Sequence, residues 1–107
     1  MLPSATLIKN VLARCRDDYV GLWAIVRRVK EDLSDQSQLM DTTLTLLSKL
    51  LKEDGIAAGT FEGHVFCTWD QPVDKILQKI EAEWKDLGRD PDIGEIVWFT
   101  ARKGLQR

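Results

Sequence analysis

Two groups of residues in this 107-residue chain are candidates for a reactive or ligating site: His64 with Cys67, and Asp90 with Asp92 and Glu95. The H-x-x-C pair invites a metal site, yet a structural zinc normally takes four Cys or His ligands and the only other thiol is the distant Cys15. A Cys-His nucleophile needs a thiolate activated by a neighbouring base, usually with a third group orienting that base. Strand geometry sends His64 and Cys67 to opposite faces, so a turn histidine and a core cysteine are the plainer assignment. The three carboxylates could bind a hard cation or act as acid and base, but their spacing lacks the additional acids and distal Glu of a calcium loop. Asp90 and Asp92 flank Pro91, which is ordinary turn chemistry. The seven glycines are scattered singly, so no phosphate cradle is present. No catalytic residue, metal or cofactor is expected, and the chain is read as a non-enzymatic protein.

Charge and aromatic content are the next signals. The net charge of −2 conceals a division along the chain: between Asp41 and Glu95 there are twelve acids and six bases, whereas Met1 to Leu33 carries six bases and four acids. Arg102, Lys103 and Arg107 add basic charge at the end. An acidic central segment repels phosphate and suits a basic partner; the plainer alternative is a solvated surface. Of the four tryptophans, Trp84 on a helical stripe and Trp98 in a strand-like run are expected in the core. Trp69, beside Asp70 at an element boundary, is the expected partly exposed anchor for a partner.

These residues need elements to position them. Leu7, Ile8, Val11 and Leu12 predict a first helix capped by Ser4. Leu22, Ile25, Val26, Val29 and Leu33 predict a second, capped by Asp17 or Asp18. Ser34, Asp41 and Thr42 offer caps in a polar connector, and a third helix is expected from near Asp41, with Leu44, Leu47, Leu50 and Leu51 buried and Gly55 at its end. Ile56 to Trp69 predicts a hairpin turning at Glu62-Gly63, with Gly59 marking a bulge. Val73, Ile76, Leu77, Ile80, Trp84 and Leu87 share one face of a fourth helix, with Asp70 as a cap candidate, Pro72 tolerated in the first turn and Gly88 as terminator. The "RDPD" turn then returns the chain as a strand, Ile96 to Phe99, covered on both faces and paired with the hairpin. The expected fold is α+β: four helices and a small three-stranded antiparallel sheet in a single domain over residues 1–107.

No apolar stretch approaches the roughly 20 residues that span a bilayer. The N-terminus also lacks a basic region followed by an uninterrupted apolar block, so a cytoplasmic protein with reduced cysteines is expected. Two helices, a connector, a third helix and a hairpin form a succession similar to a winged-helix domain. A nucleic-acid function would rest on Lys49 and Lys52 of the third helix, helped by Arg27 and Arg28. Against it, Glu53 and Asp54 end that helix and the "TFEGHVF" wing carries no Arg or Lys.

The "LLKEDGIAAG" helix ending, the F-x-x-W closing of the hairpin, the "IEAEWKDLGRDP" helix and the final "GEIVWFT" together resemble small bacterial proteins of winged-helix-like architecture, over roughly Asp41 to Thr100. In size, charge and architecture the chain also resembles small acidic bacterial immunity proteins, which neutralise a cognate toxin delivered by a neighbouring cell. That resemblance implies a protein-binding module that occludes a basic, nuclease-like toxin with an acidic face mimicking phosphate. The expected partner-binding residues are Glu81, Asp86, Asp90, Asp92 and Glu95, with Trp69 as anchor. The alternatives are a winged-helix DNA-binding regulator and a structural subunit or homodimer.

Overall fold

The computed structural model describes residues 3–53 and 55–102, so Asp54, Lys103 and Arg107 lie outside the described residues. Helix α1 (Ala5–Asp17) starts where Ser4 leaves extended backbone and its Oγ accepts the Leu7 N–H at 3.1 Å. It buries Leu7, Val11 and Cys15 on one stripe. The chain then differs from the sequence-based expectation. Asp17 and Asp18 end α1 instead of capping a second helix, because Val20 is drawn into the core as half of a two-residue strand, β1 (Val20–Gly21).

Helix α2 (Leu22–Asp32) follows directly, with Gly21 at its N-cap and Leu22, Ile25, Val26 and Val29 buried. In the connector Asp35, rather than Ser34, is the local cap: its carboxylate accepts from the Ser37 N–H and Oγ around a 3₁₀ turn, Gln36–Gln38. Helix α3 (Leu39–Lys52) therefore begins two residues before Asp41, with Gln38 at its N-cap and no side-chain cap. Burial of Leu39 explains the earlier start. Leu46, Leu47, Leu50 and Leu51 are buried and Leu44 half-buried; Gly55 closes the helix by donating its N–H to the Leu50 carbonyl at 2.9 Å.

The hairpin forms from β2 (Ile56–Glu62) and β3 (Val65–Thr68). Glu62 pairs with Val65, so the turn is Gly63-His64, one residue later than expected, with Gly63 at φ 63. A positive φ there is what a tight two-residue hairpin loop requires. Gly59 makes no bulge: it stays in register between Thr68 and Trp98. A side chain there would meet the Cys67 carbonyl and come within 2.7 Å of Phe66 Cζ. The glycine thus permits a close approach of backbone and ring.

Helix α4 (Val73–Leu87) matches its expected span, with Pro72 rather than Asp70 at the N-cap and Gly88 left-handed at φ 67 after its end. Ile76, Ile80 and Trp84 are buried, while Val73, Leu77 and Leu87 are half-buried. The last strand, β4 (Trp98–Ala101), starts two residues later than expected. The delay has a backbone cause. Ile96 sits at φ 70 and Val97 donates to the Glu95 carbonyl at 2.9 Å, so the chain is still turning there. A left-handed β-branched residue is sterically costly, and packing of Ile96 against the core supports it.

The sheet has four strands in the order β1-β4-β2-β3, all antiparallel, instead of three. The extra strand is β1, whose Val20 and Gly21 pair with Phe99 and Trp98. Ile56, Ala58 and Phe99 face the helices and join one hydrophobic core with residues of all four. The product is one α+β domain, and no helix among the described residues is long and apolar enough to cross a membrane.

Candidate functional site

The sheet face opposite the core is built from the alternate residues. Trp98 stands beside Gly59 and Gly21, and the next row is the cross-strand pair Phe61 and Phe66. Tyr19, just before β1, completes an aromatic cluster. Its ring centroid lies 5.0 Å from Phe61 and 4.9 Å from Phe66, and Phe61 is 5.4 Å from Phe66 and 5.6 Å from Trp98. Three of the four contacts are edge-to-face, the arrangement favoured by the ring quadrupole. None of the four rings belongs to the hydrophobic core. Tyr19 is 39% exposed and Phe61 37%, and the other two are half-buried. Trp98, expected in the core, is therefore a surface aromatic; Trp84 is the buried one. Cys67 likewise is half-buried on β3 rather than a core cysteine, with its thiol free.

At one end the cluster meets a charged turn. Trp98 Cζ2 lies 4.0 Å from where a Cβ would stand at Gly94, in the acidic turn, whereas Glu62, next to Phe61 on β2, alternates to the other face of the sheet. That turn is closed by its own chemistry. Arg89 holds Glu95 through two hydrogen bonds of 2.7 and 2.8 Å, while the Asp92 N–H donates to the same carboxylate at 2.6 Å. The Arg89 bonds, followed by the Asp92 amide, hold the Glu95 carboxyl down to about 2, and Arg89 is raised in turn. Asp92 also accepts the Ile93 N–H at 2.8 Å, leaving Ile93 69% exposed at the tip.

The expected partner-binding residues do not gather into one free acidic face. Glu81 is paired with Lys85 at 3.0 Å, Asp90 with Lys30 at 3.0 Å, and Glu95 with Arg89. Asp86 and Asp92 are exposed and form no ion pair among the described residues. Trp69 is half-buried against the core, with Lys79 Nζ 5.1 Å from its ring centroid, so its outer side is covered by a cation. Asp90 and Asp92 also line an open cleft of about 310 Å³ with Trp23, Arg27, Lys30, Pro91 and Ile93.

The cations of the nucleic-acid alternative are divided as well. Lys49 is paired with Glu53 at 3.1 Å and Arg28 with Asp32 at 3.0 Å, while Arg27 and Lys52 are exposed. Among the described residues no three His, Cys, Asp or Glu side chains converge as metal ligands. Burial pushes the Cys15 thiol up to about 12, with Arg14 opposing, which removes its nucleophilicity at neutral pH.

Comparison of the chain with protein-family models, curated proteins and solved structures returns no match. The aromatic cluster was missed in the sequence because its members come from three separate segments. The available signal was the Phe61/Phe66 pair flanking a two-residue turn, which places both rings on one face.

Proposed function

We propose that this chain is a non-enzymatic protein-binding module, most concretely a small immunity protein that seats on a basic toxin and occludes it. The observation carrying this reading is the aromatic cluster of Tyr19, Phe61, Phe66 and Trp98, which lies outside the core and meets the acidic turn at Gly94. Such surfaces have the anatomy of binding hot spots: rigid aromatic area at the centre and charge at the rim. The exposed Asp92, in the turn whose Gly94 approaches Trp98, would speed encounter with a basic partner, and the aromatic centre would set its lifetime.

The test starts with tagged protein in its native extract, using a nuclease-treated control to remove nucleic-acid bridges. A basic protein recovered in this way is then purified and titrated by calorimetry. Phe61→Ala should weaken the complex by about tenfold or more, and Asp92→Asn should flatten its salt dependence. Unchanged affinity in both variants would remove this surface from the reading.

The element order, with a short strand between the first two helices and a hairpin after the third, supports winged-helix DNA binding as the second reading. Under that reading Arg27, Arg28, Lys49 and Lys52 meet phosphate, and a duplex complex should weaken steeply with salt. The ion pairs on Lys49 and Arg28 and the absence of Lys or Arg from the hairpin place it second.

A further inference from the structure

The two edges of the sheet are protected differently. β1 is only two residues long and runs directly into α2. β3 is four residues long, and Val65, Phe66, Cys67 and Thr68 include no charge and no proline, the usual devices that keep an edge from pairing. Val65 is 65% exposed.

The hydrogen-bond alternation shows which backbone groups this edge offers. Trp69 donates its N–H to the Ala58 carbonyl at 2.9 Å. With Thr60 opposite Cys67 and Glu62 opposite Val65, the residues bonding inward to β2 are Val65, Cys67 and Trp69. The N–H and C=O groups of Phe66 and Thr68 therefore point away from the sheet.

We infer that β3 is a homodimer edge, at which a second copy of this chain adds antiparallel across a two-fold axis through Cys67. This goes beyond the toxin-binding reading and does not rest on it. In this register Phe66 exchanges both backbone bonds with Thr68 of the second copy, and Thr68 does the same with its Phe66. Cys67 falls opposite its own counterpart in a non-hydrogen-bonded pair, where Cα atoms are about 4.5 Å apart. Self-pairing places no like charges opposite each other, because β3 has none. The contact is isologous, so it closes at two copies, and the sheet becomes continuous through both molecules with the Phe66 rings on one shared face.

The full chain is examined under reducing conditions by sedimentation equilibrium and by amide hydrogen exchange, over a dilution series. A dimer that dissociates on dilution is expected. The Phe66 and Thr68 amides should exchange slowly in the dimer and at least tenfold faster in the monomer, while the Val65 and Cys67 amides stay protected in both. Diamide, which removes the two thiol hydrogens, should then crosslink the dimer; Cys67→Ser should abolish the crosslink and Cys15→Ala should keep it. Thr68→Pro removes one outward N–H and should raise the dimer dissociation constant at least tenfold. A monomer persisting to about 1 mM, the weak end of specific association, overturns the inference. So does an open-ended assembly, a dimer whose Phe66 and Thr68 amides exchange fast, or protection without the Cys67 crosslink.

Discussion

The outer face of the sheet and the acidic stretch from Glu81 to Glu95 are both surface regions, but they manage their chemistry in opposite ways. The acidic stretch is crowded with charge, yet Glu81, Asp90 and Glu95 each have a cation at 3.0 Å or less. The sheet face carries four aromatic rings and leaves two of them more than a third exposed. An ion pair between exposed side chains contributes little to stability but lowers the field available to a partner, whereas uncovered aromatic area keeps its whole desolvation gain for binding. A charge run is therefore not an acidic face until its neighbours are known.

One test acts at the floor of the aromatic face. Gly59→Val should destabilise the fold by about 2 kcal/mol or more, through overpacking against the Cys67 carbonyl and the Phe66 ring, as read by urea denaturation. An unchanged midpoint would show that Phe66 does not lie over Gly59. On the outer face itself, Phe61→Ser should cost about 1–2 kcal/mol of stability, because the ring is outside the core but contacts three other rings. By contrast Phe99→Ala, on the buried side of the same sheet, should cost about 3–5 kcal/mol. Equal costs would mean that the outer face is covered after all.

The acidic side is sharpened by titration. Glu95 has its pKa lowered from 4.5 to about 2, so the Arg89 clasp is complete above about pH 4.5 and its stabilisation is lost as pH falls towards about 2. The Glu95 carboxyl carbon followed by NMR should titrate near 2, and Arg89→Gln should move the midpoint back up. A midpoint near the ordinary value in the unaltered protein would mean that the clasp is open in solution. The smallest effect is expected at Asp86→Asn, within about 0.5 kcal/mol, because this exposed residue has no ion pair among the described residues. Iodoacetamide at neutral pH should separate the thiols, labelling half-buried Cys67 and sparing Cys15 until the chain unfolds.

Helix α4 was the most legible part of the fold, since Ile76, Ile80 and Trp84 repeat at helical spacing and Gly88 follows its last residue. The Ser4 cap was legible for the same reason: it acts within its own first turn. Less could be read where distant segments meet. Strand β1 is only Val20–Gly21, too short for a period, and exists because Phe99 and Trp98 lie beside it. Trp98 read as core because Ile96 to Phe99 is an unbroken apolar run, whereas the left-handed Ile96 delays the strand and turns Trp98 outward. Asp90 read as free acid because Lys30 is 60 positions away.

Legible in the linear chain were the helical faces, the hairpin and the turn chemistry around Pro91, because each depends on side chains a few positions apart. Tertiary structure alone decided which charges are neutralised, where the aromatic rings collect and which backbone edge is left open. Those properties follow from contacts between segments far apart in the chain, and local periodicity carries no record of them.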